Sequence, residues 1–250
     1  MRRFSIVTVS IFSCRMRLDR LISSSASYLI PLPCQVWICP SFPWGVPKNE
    51  PGDDSDAVFQ FLSSKLPDFW CSEYQNMMFT NDRPYSPDEL DIVSITLDRL
   101  TYSYDMGDAY DKGNPDDPRV ESRVVAVYGN SQPPRSKRYT SRMRGWLGPT
   151  NQFRDGKYDK GHFVAHMSGG GLGINLFYQR RDINRGWSKR GKVYRQMERY
   201  CAENLGTFCF SRPLYNDRTW HPCAIEYGIL LPNNELWVEW FNNQPPSDGK

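Results

Sequence analysis

Two of the three histidines in this chain, His162 and His166, lie four residues apart in the segment YDKGHFVAHMSGGG. A neutral imidazole accepts a proton near pH 7 and also binds transition metals. On one face of a helix, two histidines at this spacing would match a zinc-binding pattern. On a strand, the same side chains would lie about 13 Å apart, which is too far to share a metal ion. The chemistry available to the pair therefore depends on the secondary structure around it.

The segment GHFVAHM favours a strand, and a run of glycines follows it at residues 169–171. We therefore predict that His162 acts as a general base, because its ordinary pKa of about 6.5 suits the removal of a proton from water. We expect His166 to be structural or to face a substrate. A zinc-dependent hydrolase that uses both His162 and His166 is an alternative.

Charge is unevenly distributed along the chain, although the net charge is only +3. Residues 50–121 contain 5 Lys/Arg and 17 Asp/Glu, whereas residues 135–199, which include both histidines, contain 16 Lys/Arg and 4 Asp/Glu. A concentrated basic segment is typical of a surface that binds a polyanion such as nucleic acid, and a solvated face is the alternative. One hypothesis is that part of the acidic segment lies near the basic one and competes with the polyanion. The alternative is that the acidic residues form a solvated surface facing away.

The residues after the histidines include oxygen donors suited to a hard cation. Asn184 lies in the segment QRRDINRGW, just before a predicted helix, and Glu198 lies later in that helix. Mg²⁺ keeps most of its water ligands, so one or two protein oxygens are enough to bind it. Asn184 is thus a candidate direct ligand and Glu198 a candidate contact through water. Asp159, three residues before His162, is expected to accept hydrogen bonds from nearby groups.

Three motifs together resemble the DNA/RNA non-specific endonuclease family of the ββα-metal, or His-Me finger, superfamily. They are DKGH at residues 159–162, INLFYQRRDINRGW at 174–187 and YRQMERY at 194–200. The resemblance covers about residues 145–242. It implies an α+β fold, with a ββα-metal nuclease core that contains a mixed or antiparallel sheet and a metal-site helix.

The resemblance also implies roles for individual residues. His162 is the implied general base, Asn184 the direct ligand of Mg²⁺ or another divalent cation such as Mn²⁺, and Glu198 the contact through water. Asp159 and Lys160 belong to the same catalytic motif; Lys160 replaces the arginine usual in the family, and it keeps the charge but not the bidentate geometry. The cationic side chains expected to contact phosphate are Arg180, Arg181, Arg185 and Arg195.

The implied function is a Mg²⁺-dependent, largely sequence-nonspecific endonuclease that hydrolyses phosphodiester bonds of DNA, RNA or both. A nucleic-acid-binding protein without catalytic activity, built on the same frame, is an alternative. A toxin of this class would need an inhibitor or immunity protein as its partner.

The elements that must position these residues follow from local patterns. Residues 187–204 are predicted to form a helix with Val193, Met197 and Tyr200 or Cys201 on one face. Trp187 is expected to anchor that helix in the core, and a base-stacking platform is the alternative. Gly191 is expected to destabilise the helix, because glycine has a low helix propensity. Predicted strands are DIVSITLDRL, SRVVAVYG, GTFCFSRPLY, CAIEYGILL and ELWVEWF, the last two joined as a hairpin by the turn signal PNN. Residues 55–66 are predicted to form a short helix, and SPDEL at Ser86 a helix start or turn.

Three regions are predicted: an irregular leader (1–50), an acidic α+β extension (51–134) and a nuclease core (135–245). The leader begins MRRFSIVTVSIFSC, a basic start and short apolar run that faintly resembles a signal peptide, so both a cytoplasmic and an exported location are open. No apolar run approaches the ~18 residues of a membrane-spanning helix, so no membrane association is expected.

Overall fold

The computed structural model describes residues 55–79, 91–107, 121–135 and 155–245. The leader predicted at residues 1–50 and the helix start predicted at Ser86 lie outside these ranges. The described elements, in chain order, are α1 (Ser55–Phe79), β1 (Ile92–Leu97), β2 (Leu100–Asp105), β3 (Arg123–Asn130), β4 (Tyr158–His162), β5 (Leu176–Arg180), α2 (Arg181–Asn184), α3 (Lys189–Glu203), β6 (Phe208–Leu214), β7 (Ala224–Leu230) and β8 (Leu236–Asn242). Short 3-10 turns lie between β4 and β5. The architecture is α+β, as predicted.

Six antiparallel strands form the central sheet, in the order β1-β2-β3-β6-β7-β8. The segment DIVSITLDRL is not one strand, because the chain reverses at Asp98 and Arg99 and enters β2. Both turn residues have positive φ, 53° and 64°, the backbone that matches the twist of a two-residue hairpin. The other four predicted strands are confirmed, and so is the hairpin between the last two.

The central sheet joins the regions predicted to be separate. Strand β3 pairs directly with β6, so the sheet runs across the boundary predicted at residues 134/135. Leu100 and Tyr102 of β2 are buried in the same core as Met197 and Cys201 of α3. Residues from both sides of that boundary therefore share one hydrophobic core.

Helix α1 is longer than predicted. It runs through Phe79 and continues past Pro67, although a proline inside a helix removes one backbone hydrogen bond. Buried side chains follow one another at four-residue spacing on this helix: Leu62, Leu66, Trp70 and Tyr74. Trp70 packs against Phe210 of the sheet, with ring centroids 4.8 Å apart. Burial of this apolar stripe stabilises the helix beyond the proline.

Strands β4 and β5 form a separate two-stranded antiparallel sheet, followed directly by α2 and α3. The expected strand over GHFVAHM is wrong beyond His162, where β4 ends. The buried side chain of Asn175 takes the place of a strand partner, because it accepts a hydrogen bond from Val164 N and donates to Val164 O and Gly171 O. His166 instead begins a 3-10 turn.

Helix α3 confirms the prediction closely and begins two residues inside its expected start. Ser188 caps it, since its hydroxyl accepts a hydrogen bond from Gly191 N at 3.0 Å. Tyr194, Met197 and Cys201 are buried against the central sheet. Within the described ranges, no helix is both long and apolar enough to cross a bilayer.

Candidate active site

An open cleft lies between the end of β4 and the exposed side of α3. Its lining includes the predicted residues His162, Asn184, Arg185, Arg195 and Glu198, together with Arg135, His166, Met167 and Arg199. Its volume is about 960 Å³, at the upper end of the ~300–1,000 Å³ typical of small-ligand sites. A cleft of this size and openness suits a segment of an extended ligand.

The protein core fixes His162 at the end of β4. Its side chain is only 7% exposed, and its backbone carbonyl accepts a hydrogen bond from the Tyr194 hydroxyl at 3.2 Å. Tyr194 is fully buried on the inner face of α3, with its ring 5.5 Å from that of Tyr227. This contact ties the strand that carries His162 to the helix that carries Glu198.

Asn184 ends α2 and lies beside Asp159. Its Nδ2 atom is 3.5 Å from Asp159 Oδ2, at the long limit of a hydrogen bond. A carboxylate that is ionised only accepts hydrogen bonds, so this contact places the amide nitrogen at Asp159. The amide oxygen is then the atom left for a ligand in the cleft.

Asp159 is held by two arginines. Arg185 donates from Nε at 2.6 Å and from Nη2 at 3.1 Å, and Arg181 donates from Nε at 3.1 Å. Burial on its own would raise the pKa of Asp159, but the hydrogen bonds from Arg185 and Arg181, with their positive charges, outweigh it and lower the pKa. Asp159 therefore stays ionised at neutral pH and joins β4 to α2.

Three of the predicted cationic residues lie outside the cleft. Arg180 points to Asp182, with two donor-acceptor contacts of 2.5 and 2.7 Å, and also donates to Gln244 O. Arg181 is engaged by Asp159 and by a backbone carbonyl. The pKa of Lys160 is lowered by burial. These three cationic side chains are not among those that line the cleft.

Glu198 faces the cleft from α3. Its side chain is largely buried, and Oε2 accepts a hydrogen bond from Arg195 Nη1 at 2.5 Å. Arg195 and Glu198 are three residues apart, a spacing that places both on one face of the helix. The structure adds that this face lines the cleft.

Two arginines of the cleft were not predicted. Arg199 follows Arg195 by four residues on α3, a spacing that places both on one helix face, so the sequence did contain a signal for it. Arg135 lies between β3 and the segment before β4, and it pairs with Asp98 of the β1–β2 turn. That contact depends on the tertiary fold and has no local sequence signal.

Trp187 is not a core anchor, and that prediction is wrong. Its side chain is 62% exposed. It precedes the first residue of α3, whereas the buried face of the helix begins at Gly191. The Arg185 guanidinium lies over the indole, 4.9 Å from the ring centroid.

The donors in the cleft fit a hard, largely hydrated divalent cation. They comprise the amide oxygen of Asn184 and the carboxylate of Glu198, both of which are hard oxygen donors. In the part of the chain that the structure describes, no group of three or more His, Cys, Asp or Glu side chains is arranged to hold a metal ion. The cluster of nitrogen or sulfur ligands typical of zinc is therefore not found there.

No protein-family model matches the chain, and no curated protein matches it either. Among solved structures it is similar to NucA from Streptococcus agalactiae with magnesium bound, at 14% identity and a TM-score of 0.34, over 70% of this chain and 91% of that one. It is also similar to Sda1 nuclease with bound zinc, at 14% identity and a TM-score of 0.32, over 63% of this chain and 75% of that one. At this level of similarity, the residues of the cleft and not the neighbours carry the functional assignment.

Proposed function

We propose that this protein is a metal-dependent endonuclease that hydrolyses phosphodiester bonds of DNA, RNA or both, with little sequence preference. The observation that carries the proposal is the meeting of His162, Asn184 and Glu198 in one cleft bordered by arginines. A base, an oxygen ligand and a surplus of positive charge are what phosphodiester hydrolysis requires. The ββα-metal frame is part of the same proposal, supported by the β4–β5 hairpin that leads directly into α2 and α3.

His162 accepts the proton of the attacking water. Its imidazole lies at the inner wall of the cleft, and the Tyr194 hydroxyl holds its backbone. A base whose position is fixed by buried neighbours keeps the short donor-acceptor distance that proton transfer needs. Asp159 accepts hydrogen bonds from Asn184 and Arg185 and so positions both residues at the edge of the cleft.

Asn184 would hold the cation through its amide oxygen, and Glu198 would contact it through water. When bound, Mg²⁺ or Mn²⁺ supplies a Lewis acid for the charge that develops on the phosphoryl and leaving oxygens. The amide and carboxylate oxygens suit these hard cations.

The arginines of the cleft favour a nucleic acid over a small phosphate ester. Four of them border it from three parts of the chain: Arg135 after β3, Arg185 after α2, and Arg195 and Arg199 on α3. Cations spread over an open cleft can contact successive backbone phosphates, which are the same for every sequence. Contacts of this kind would give cleavage with little sequence preference.

A plasmid-nicking assay tests the proposal. Supercoiled DNA and a structured RNA are incubated with the protein in Mg²⁺, and in parallel with EDTA. Cleavage of either substrate that depends on Mg²⁺ and disappears in His162→Ala supports the proposal. Binding without cleavage in Mg²⁺ and Mn²⁺ would leave a nucleic-acid-binding protein, and stoichiometric zinc in the purified protein would favour the zinc hydrolase.

A further inference from the structure

Trp187 exposes a large aromatic surface beside the candidate active site. At 62% exposure it is the most exposed large apolar side chain among the described residues. It lies three residues after Asn184 and beside Arg185. Because Arg185 lines the cleft and its guanidinium lies over the indole ring, Trp187 is at the edge of the cleft. A single exposed apolar side chain is common on protein surfaces, so the meaning of this ring depends on the groups that lie beside it.

The ring projects from a fixed backbone. Trp187 N donates to Asp182 O at 2.9 Å, and Ser188 then caps α3. The turn requires glycine at position 186, where φ is +70° and a Cβ atom would lie 2.9 Å from the Cγ atom of Arg195. The backbone that carries the indole therefore lies between α2 and α3. The packing of these two helices sets its position relative to Asn184.

The guanidinium beside the ring is equally fixed. Two nitrogens of Arg185 donate to Asp159, at 2.6 and 3.1 Å, while the guanidinium carbon lies 4.9 Å from the indole centroid. An aromatic face next to a cation matches one nucleotide, whose base is flat and apolar and whose phosphate is negative. The arginines of the adjoining cleft extend the same charge complementarity to the neighbouring phosphates.

We propose that Trp187 and Arg185 form a stacking platform for an unpaired nucleobase, so that the protein binds single-stranded DNA or RNA in preference to a duplex. This rests on the proposed function for the identity of the polymer. A base in a duplex is already stacked and paired, and it reaches a protruding ring only after it has been unstacked. A base in a single strand is free to stack on any aromatic face, whatever its identity.

Binding measurements in a His162→Ala background, which removes the proposed base, test the platform. Fluorescence anisotropy compares a labelled single-stranded DNA, the same sequence as RNA, and a blunt-ended duplex that has no unpaired bases. We expect Trp187→Ala to weaken binding of one or both single strands about tenfold, and of the duplex less than about twofold, from the usual contribution of base–aromatic stacking. Trp187→Phe should keep most of the affinity, because it retains a flat ring. Leu205→Ala removes another exposed apolar side chain, one that is not among the cleft lining, and should change nothing.

Equal binding of the single strands by the Trp187→Ala and parent proteins would overturn the platform. An equal loss for single strands and duplex would also overturn it, because the ring would then contact the sugar-phosphate backbone that both share. Thermal unfolding of each variant shows that it is folded. The two proposals fail separately, because the platform is measured by binding without cleavage, whereas the nuclease is measured by Mg²⁺-dependent cleavage in the protein with His162 intact.

Discussion

Arg195 and Glu198 form an ion pair across one turn of α3, with Nη1 and Oε2 2.5 Å apart at the wall of the cleft. The arginine side chain is 53% exposed and that of the glutamate only 10%. Because solvent reaches about half of the arginine side chain and screens its charge, the pair contributes little to stability, about 0–1 kcal/mol. Its place in the cleft matters more, because Arg195 is near enough to meet a substrate phosphate and to orient Glu198.

Replacement of Arg195 should therefore affect binding and not folding. In Arg195→Gln we expect an unfolding temperature close to that of the parent protein and a salt dependence of nucleic-acid binding that is shallower by about 0.7–0.9 in the log–log slope, the value of one phosphate contact. Titrations at several salt concentrations measure the slope. Lys192→Gln, an exposed cation of the same helix outside the cleft lining, is the control. An identical slope in both variants would remove Arg195 from the substrate-binding surface.

The two oxygen donors should differ in their effect on the metal. Asn184→Ala should raise the Mg²⁺ concentration needed for half-maximal cleavage far more than Glu198→Gln, because Asn184 is proposed to touch the ion directly and Glu198 through water. Mg²⁺ titrations of cleavage compare them, with Asn233→Ala in the exposed β7–β8 turn as the matched control. Equal shifts in the two cleft variants would contradict this division of roles.

The local parts of the fold were predictable from the sequence. Met197 and Cys201 recur at helical spacing, so α3 and the faces of Arg195 and Glu198 followed from periodicity. The β7–β8 hairpin followed from its turn residues. Asn184 and His162 lie in motifs whose residue types already restrict their chemistry.

The rest depends on contacts between distant segments. Strand β4 ends at His162 because Asn175, thirteen residues later, takes up the backbone groups of Val164. Trp187 is exposed because the buried face of α3 begins only at Gly191. The spacing of apolar residues in the sequence does not show where that buried face begins. Hydrophobicity predicts burial on average, and a tight turn before a helix overrides it.

Gly191 tests the packing that positions Asn184. A Cβ atom there would lie 2.3 Å from the backbone oxygen of Asp182 and 3.1 Å from Gly186 Cα, so α2 and α3 touch at this glycine. Gly191→Ala gains helix propensity but forces the two helices apart. We expect a net loss of about 1–3 kcal/mol in the free energy of unfolding and reduced cleavage. Urea unfolding measures the loss, with Lys192→Ala as the exposed control; an alanine variant as stable as the parent would show that the helices separate freely.

The contacts of Asp159 predict a particular pH dependence. Its pKa is lower in the folded protein than the ordinary value of about 3.9. Its stabilising contribution is therefore fully present above that ordinary value and is lost as the pH falls through the lower, folded value. The stability difference between the parent and Asp159→Asn should stay constant from neutral pH to about pH 5 and shrink below about pH 4.

Urea midpoints across this pH range measure the difference. A double-mutant cycle with Arg185→Gln isolates the interaction of Asp159 with its closest partner, and this coupling should vanish at the lowest pH. A difference that grows on acidification would mean that Asp159 is protonated more readily in the folded protein, and would contradict the ion pairs described here.

Asp98 connects the acidic segment to the basic cleft. It lies in the β1–β2 turn and pairs with Arg135, which lines the cleft, and its Oδ2 atom is 3.0 Å from where a Cβ atom would stand at Gly171. We therefore predict that part of the acidic segment competes with phosphate for Arg135. Deletion of residues 1–121 cannot test this, because it removes β2, whose Leu100 and Tyr102 are buried in the shared core.

A single substitution tests the competition with the fold intact. Asp98→Asn should raise the affinity for nucleic acid at low salt and steepen its salt dependence by about 0.7–0.9 in the log–log slope, because Arg135 then becomes available to one more phosphate. Asp91→Asn, at the opposite end of β1, makes the same change in net charge away from Arg135 and controls for long-range attraction. Debye screening over roughly 8–10 Å at physiological salt should remove most of that long-range effect but not the local one. If both variants gain affinity equally, or neither does, the acidic segment acts only as a scaffold and Asp98 does not regulate access to the cleft.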